Sequence, residues 1–321
     1  MNRLRFALLI VALGICGEAA AQSYPVRTIR VVVGFPPGGG VDVLARTLGP
    51  KISESLGQQL VVDNRLGAGG TLASDLVARA VPDGYTILLV SASHAVTASM
   101  YKDLAYNAVR DFSPVSLVAS SPNVLLANPG FAARSVGDII KMAHANPDGI
   151  SYASGGIGTS GHLSLVLLNL QAGMQLTHIP YKGNPLALVD LMAGRVQLMI
   201  TTVPTALAQI KAGKIIALAV TSAKRFGILP EIPTVAESGV RDYESTNWFG
   251  VLGPRGMRPP LISRLNAEIV KALASREIAD AVWRQGAEPL SSTPGEFGAY
   301  LESEVVKWAK TVEKAGIQIG P

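Results

Sequence analysis

The 321 residues are 48% hydrophobic, 16% charged and 6% aromatic, too apolar for a disordered chain and too long for one ordinary core, so two domains are expected. Thirty-three Gly and twenty Pro fall short of a low-complexity composition and show no collagen period, and they read as turns between regular elements. The 28 Lys and Arg exceed the 23 Asp and Glu by five, but they are scattered singly, without the block or stripe that tracks a phosphate backbone, which argues against nucleic acid as a partner.

Arg3 and Arg5 precede the apolar run Phe6 to Ile15, and Ala19, Ala20 and Ala21 follow it. Residues 1–21 therefore read as a secretory signal cleaved after Ala21. That run is about half of the roughly 20 apolar residues that span a bilayer, and no later stretch of that length is free of Gly, Pro or charge, so the mature protein is expected not to span a membrane. Cys16 is the only cysteine. Its removal by cleavage would exclude a disulfide scaffold, a Cys nucleophile and a Cys-based metal site. Lipid attachment at Cys16 is the alternative, although the residue before such a cysteine is ordinarily small and here is Ile15. An export signal before a cysteine-free globule points to the periplasm of a Gram-negative cell.

Thr28 to Gly34 is a β-branched run, followed by the turn Phe35-Pro36-Pro37-Gly38-Gly39-Gly40 and then Val41, Leu44, Ala45, Leu48 and Ile52 at helical spacing. Leu60 to Val62 reads as a strand, Leu72 to Ala80 as a helix and Tyr85 to Val90 as a strand apolar on both faces. Alternating units of this kind imply a mostly parallel sheet covered by helices. The rhythm restarts with helices at Val136 to Ala145, Gly161 to Leu170, Pro185 to Ala193 and Ala206 to Ala212. Strands are expected at Ile150 to Ala153, Thr177 to Ile179, Val196 to Ile200 and Ile215 to Val220. Between the two sets lie the extended segments Phe112 to Val118 and Asn123 to Ala127, and after them Trp248 to Leu252, by which the chain passes to a second domain and returns. Pro259 to Leu273, Ile278 to Trp283 and Gly295 to Lys314 read as amphipathic helices that pack back on the first sheet.

Two strand-to-helix turns are unusually rich in glycine, Gly34 to Asp42 and Ser154 to His162. Each is expected to place unpaired backbone N–H groups at a helix start, where they and the helix dipole favour a carboxylate or phosphate. Their matching position in the two domains suits ligand binding at the carboxyl ends of the strands. Gly156, Gly158 and Gly161 spell a dinucleotide fingerprint, but the next strand ends in Ile179-Pro180-Tyr181-Lys182-Gly183 without the acid that holds a ribose. The first loop also lacks the Lys-Ser/Thr ending of a P-loop.

Catalytic patterns are thin. Ser160 would need glycine where His162 stands to form a nucleophile elbow, and His94, His144, His162 and His178 have no metal-ligand spacing. What remains are neutral donors at strand ends: Ser91, Ser93, Ser154, Thr159, Ser160, Thr201 and Thr202. Hydroxyls and amides hold a carboxylate without the desolvation of a buried countercharge. Asp42 either caps the first helix or meets an ammonium group, and Lys182 either approaches an acidic ligand or is simply exposed.

Tyr24 to Arg27 leading into Ile29 to Asp42, Val62 to Gly70, Pro82 to Thr86, Tyr152 to His162, His178 to Gly183 and Ile232 to Val235 together resemble the Bug-type extracytoplasmic solute-binding receptors of tripartite tricarboxylate transporters. The resemblance runs from Tyr24 almost to the end of the chain. It implies a two-lobed type II periplasmic binding fold, with mostly parallel α/β sheets flanked by helices, closing on a small carboxylated solute. Lobe 1 would comprise residues 22–123 and 249–321 and lobe 2 residues 124–248, with hinge crossings near 123–126 and 247–249. Carried over residue by residue, it points to Phe35, Pro37, Gly38, Gly39 and Gly40 from one lobe and Ser154, Gly155, Thr159 and Ser160 from the other. Ala92, Ser93, His94, Tyr181, Lys182, Thr202 and Val203 are added as strand-end positions expected to face the same cleft. The implied protein is a monomeric, cofactor-free receptor serving a membrane transporter, with no metal and no catalytic residue. An exported hydrolase or transferase using Ser160 or His162, and a ligand sensor for a signalling partner, are the alternatives.

Overall fold

The computed structural model describes residues 24–101 and 103–316; the expected signal segment, with Cys16, lies outside them. The chain runs β1 (Ile29–Val33), α1 (Gly40–Leu56), β2 (Leu60–Asn64), α2 (Thr71–Ala78), β3 (Thr86–Ser91), α3 (Ser93–Met100) and then the long β4 (Phe112–Ala127). It continues with α4 (Val136–Ala145), β5 (Ser151–Ser154), α5 (Ser160–Ala172), β6 (Thr177–Pro180), α6 (Asn184–Met192), β7 (Leu198–Thr202), α7 (Val203–Lys211) and β8 (Ile216–Val220). The return is β9 (Thr246–Pro254), α8 (Pro259–Ala274), α9 (Arg276–Arg284), β10 (Glu288–Pro289) and α10 (Pro294–Ala315).

The strand order is β2-β1-β3-β9-β4-β7-β5-β6, with β8 and β10 also on β4. The expected parallel pairs form, β1 with β2 and β3, and β5 with β6 and β7. Antiparallel β9 and β4 join the two sets: β9 pairs with β3 and with the first part of β4, through Pro122↔Thr246. From Asn123 onward β4 pairs instead with β7 and β8. The segments Phe112 to Val118 and Asn123 to Ala127 are thus one 16-residue strand. Its prolines, which ordinarily argue against a strand interior, sit at irregular places: Pro114 beside a register shift and Pro122 at the exchange of partners.

Each sheet is covered on both faces, and the period-two alternation of a strand divides its side chains between them. In lobe 1, Ile29, Val31 and Val33 join Leu44, Leu48 and Ile52 of α1 and Leu265 and Ile269 of α8. Val32, Leu88 and Val90 face the other way, toward Ala95 and Val96 of α3 and Phe297 and Leu301 of α10. In lobe 2, Leu125 and Ala127 meet Ile139 of α4 and Leu168 of α5, while Val124 and Leu126 meet Leu191 of α6 and Leu207 of α7. Leu163 of α5 packs with the lobe 1 cluster around Trp248, so α5 reaches across.

That cluster holds one buried carboxylate. Glu304 accepts from Trp248 Nε1 at 2.9 Å, from Trp308 Nε1 at 3.1 Å and from Lys307 Nζ at 3.1 Å, which compensates its removal from water. Helix α3 was not legible in the sequence because Ser93, His94, Ala95, Val96, Thr97 and Met100 are all buried. A helix without a polar face shows no 3.6-residue alternation.

Candidate functional site

Five strand-to-helix junctions converge between the lobes. Helices α1, α3, α5 and α6 begin at Gly40, Ser93, Ser160 and Asn184, and α7 follows directly on Thr202. Gly40, Ser93, Ser160, Asn184 and Thr202 all line one inner chamber, with Phe35, Pro36, Gly39, Val41, Ser91, Thr159, Asn247 and Phe249. Its free volume of about 20 Å³ suits one water-sized group. Phe35 and Pro36 also line a larger cleft of about 480 Å³, walled by Leu66 to Gly70 and Tyr101 from lobe 1 and by Gly155 to Ile157 and Pro180 to Gly183 from lobe 2. A volume of this size matches small-molecule sites.

The glycine loops do not offer all the amides expected of them. Gly38 N–H donates to Asp42 Oδ2 at 3.0 Å and Gly39 N–H to Pro36 O at 3.1 Å. In the second loop Gly156 N–H donates to Ser154 Oγ, Gly158 N–H to His162 Nδ1 and Thr159 N–H to Gly156 O. The first turns of the helices are the better anion seat. Helices α1, α3, α6 and α7 start without a side-chain cap, and in α5 the Thr159 hydroxyl caps only His162 N–H. Each helix start carries roughly half a positive charge, so five of them together offset a carboxylate without a basic side chain.

Asn247 decides what the chamber wants. Its side chain is fully buried, and its Oδ1 accepts from Ala92 N–H at 3.2 Å, which assigns Nδ2 as the free donor. Among the described residues Nδ2 has no partner, and neither does the buried Oδ1 of Asn184. An unsatisfied buried donor costs about 1–3 kcal/mol until something accepts from it.

The expected site residues fall into three groups. Phe35, Gly39, Gly40, Ser93, Thr159, Ser160 and Thr202 meet at the chamber, and Gly155, Tyr181 and Lys182 line the outer cleft. Pro37, Gly38, Ala92, Ser154 and Val203 line neither cavity; Ala92 N–H positions Asn247, and Ser154 Oγ bonds His178 Nε2 at 2.7 Å. His94 works inside the lobe, with Nε2 on Ala108 O at 2.9 Å and Nδ1 on Ser74 Oγ at 3.0 Å. Since a carbonyl only accepts, Nε2 carries a proton, and burial, which pushes the ring down to about 4, keeps it neutral near pH 7. Sequence reasoning missed Asn184, Asn247 as a ligand donor, and Tyr101. The Val62 to Gly70 segment entered only through the resemblance, although its run of glycines was the available signal.

Among the described residues, Lys182 is the one charged residue lining either cavity. Asp42 is held below the usual carboxylate range: burial opposes this, but donations from Arg46, Gly38 N–H and Asn64 outweigh it. Those donors engage both oxygens, so Asp42 closes the first turn of α1. Behind the second loop, His162 stacks on His178 at 4.3 Å and His178 on Tyr152 at 4.7 Å. Burial pushes His178 down to about 4, and burial with the neighbouring His178 pushes His162 down to about 3. Ser160 Oγ donates to the Asn123 amide oxygen at 3.4 Å, which is no proton acceptor for nucleophilic catalysis. Among the described residues there is no cluster of three or more potential metal ligands, and no helix is long and apolar enough to cross a membrane.

A family model described as "Tripartite tricarboxylate transporter family receptor" matches residues 44–317. The chain belongs to that family. It is 38% identical over 314 residues to BugT of Bordetella pertussis, covering 97% of this chain and 96% of that protein. Among solved structures, R. palustris Rpa4515 with adipate superposes with a TM-score of 0.89 at 37% identity, over 92% of this chain and 99% of the other. The periplasmic binding protein BugD gives 0.87 at 36% identity, over the same shares. The tripartite tricarboxylate family receptor described here is therefore a periplasmic solute-binding protein with the two-lobed α/β fold of that class.

Proposed function

We propose that this receptor captures a small organic acid, with one carboxylate oxygen in the inner chamber and the rest of the molecule in the outer cleft. The observation that carries the reading is Asn247 Nδ2, a buried donor without a partner among the described residues, at the meeting point of five helix starts. The lining of neutral donors and the adipate held by the related Rpa4515 support a carboxylated guest. Phe35, Gly39, Gly40, Ser93, Thr159, Ser160 and Thr202 surround its head, and Lys182 lies along its tail.

The lobes, residues 22–123 with 249–321 and residues 124–248, close about the two crossings expected at 123–126 and 247–249. The partner exchange of β4 between Pro122 and Asn123 and the start of β9 at Thr246 support that placement. The chain acts as an exported monomer that gives its guest to transporter membrane subunits, after cleavage following Ala21. Ser160, bonded to an amide, has no part in chemistry.

The test is a thermal-shift and calorimetric panel of acetate, succinate, malate, adipate and benzoate on the mature protein. A raised melting temperature, with the acid recovered intact, is the expected result. Turnover of an acid, lost in Ser160→Ala, would replace the reading with the hydrolase alternative.

A further inference from the structure

The lobes touch at places where one partner lacks a Cβ. Gly183, in the turn between β6 and α6 of lobe 2, faces Pro36, in the turn between β1 and α1 of lobe 1. A Cβ built on Gly183 would lie 2.3 Å from Pro36 Cγ and 2.7 Å from its Cδ, far inside van der Waals contact. Gly158, in the turn between β5 and α5, faces Thr97 and Met100 of α3; its Cβ would lie 3.0 Å from Thr97 Cγ2 and 3.5 Å from Met100 Sδ. Gly69 of lobe 1 faces Ile157 O of lobe 2, at 3.0 Å from a built Cβ. Gly183, Gly69, Pro36 and Ile157 also line the outer cleft, so the contacts lie along its rim.

We infer that Gly183 and Gly158 are closure residues: their missing side chains are the seats into which Pro36 and Thr97 move when the lobes shut over the ligand. The inference rests on the receptor reading above and adds the positions that set its open–closed balance. Interior packing yields only a few tenths of an ångström before side chains are forced off their rotamers. A methyl group in the Gly183 seat therefore acts as a wedge that holds the rim apart and displaces, of the chamber lining, only Pro36. Ligand affinity falls with the population of the closed state.

Both glycines have positive φ, +121° and +80°, so alanine there also strains the backbone. Two comparisons separate the effects. Gly239 has φ +110° with nothing within 4 Å of a built Cβ, so Gly239→Ala carries backbone strain alone. Pro36→Ala removes Cγ and Cδ and leaves only Cβ, 3.7 Å from the built atom, which is an ordinary contact. Thr97→Ser likewise removes Cγ2.

Binding of adipate and malate is measured by calorimetry, with small-angle scattering at saturating acid. Gly183→Ala is expected to lose at least tenfold in affinity and to keep a larger radius of gyration than the wild type. Gly183→Ala with Pro36→Ala recovers part of the loss, Gly158→Ala with Thr97→Ser, at positions that line neither cavity, returns to within about threefold, and Gly239→Ala stays at the wild-type value. Should Gly183→Ala not fold, Gly158→Ala with and without Thr97→Ser supplies the same comparison. Wild-type affinity in both single variants, or double variants no better than the singles, overturns the inference and leaves the receptor reading standing. A wild-type protein that binds none of the acids in the panel removes both.

Discussion

Asn247→Asp is the sharpest test of the inner chamber. The replacement keeps the shape and the oxygen that accepts from Ala92 N–H at 3.2 Å, but it exchanges the free Nδ2 donor for an acceptor and a charge. Loss of a hydrogen bond to a charged ligand costs about 1.5–3 kcal/mol. Two carboxylates about 4 Å apart add about 4 kcal/mol at an effective dielectric of 20. The variant has an escape, which is to protonate the new carboxyl. From an unperturbed pKa of about 3.9, that costs about 4 kcal/mol at pH 7, which caps the loss near a thousandfold. Calorimetry at pH 7 should therefore show affinity for the acid reduced roughly a hundred- to a thousandfold. The deficit should shrink by close to tenfold for each pH unit down to about 5, because binding then takes up a proton, and wild-type affinity should stay level over that range. Variant affinity within threefold of the wild type at pH 7, or the same pH profile in both, would refute the placement of a carboxylate at Nδ2.

Gly39→Asp should also abolish acid binding. The built Cβ meets Pro36 O at 3.2 Å and Phe35 Cβ at 3.8 Å, so the turn must yield by a few tenths of an ångström, and the variant brings a like charge to the chamber lining; unchanged calorimetric affinity would show that this loop is only a turn. Ser160→Ala should lower affinity by no more than about tenfold, the worth of one hydrogen bond, and leave the recovered acid chemically unchanged by mass spectrometry. Glu304→Ala should cost about 3–5 kcal/mol of stability, since it opens a void and strands two indole N–H groups, read as a lower denaturation midpoint. Burial holds His94 at about 4, His162 at about 3 and His178 at about 4, against about 6.5 in the unfolded chain. Between those values the unfolded chain binds more protons, so stability is level above pH 7 and falls as pH drops from about 6.5 toward 4; a melting temperature that does not fall across that interval would contradict the buried neutral rings.

Local pattern carried the α/β rhythm well where each element faced a core on one side and solvent on the other. Helix α4 reads directly from Val136, Ile139 and Ala143, and its Ser135 cap bonds Asp138 N–H. The same logic misses α3, which is buried at every position but Ala98 and Ser99, and it splits β4 at Ala119 to Pro122, where alternation lapses and the long-range pairing partner changes. In the site, glycine content pointed to the right turns but not to the right amides. Whether Gly39 N–H faces a ligand or Pro36 O is a matter of a few degrees of backbone rotation, which composition does not encode. Asn247 is legible only in three dimensions, because its meaning comes from Ala92 across the sheet, 155 positions away in the chain.

The strand that carries Asn247 is also one of the two on which the lobes would turn: it lies opposite Ser121, one pairing step from Pro122↔Thr246. Atoms near a pivot sweep the shortest arcs, so Asn247 itself would move little as the lobes close. The donor that would meet the head group thus stays nearly in place, while the helix starts of the two lobes come together around it. Association should proceed as a fast landing whose rate scales with solute concentration, followed by a slower latching step that ignores it. Solutes sharing one head group should differ mainly in the second step, where their tails meet the closing rim.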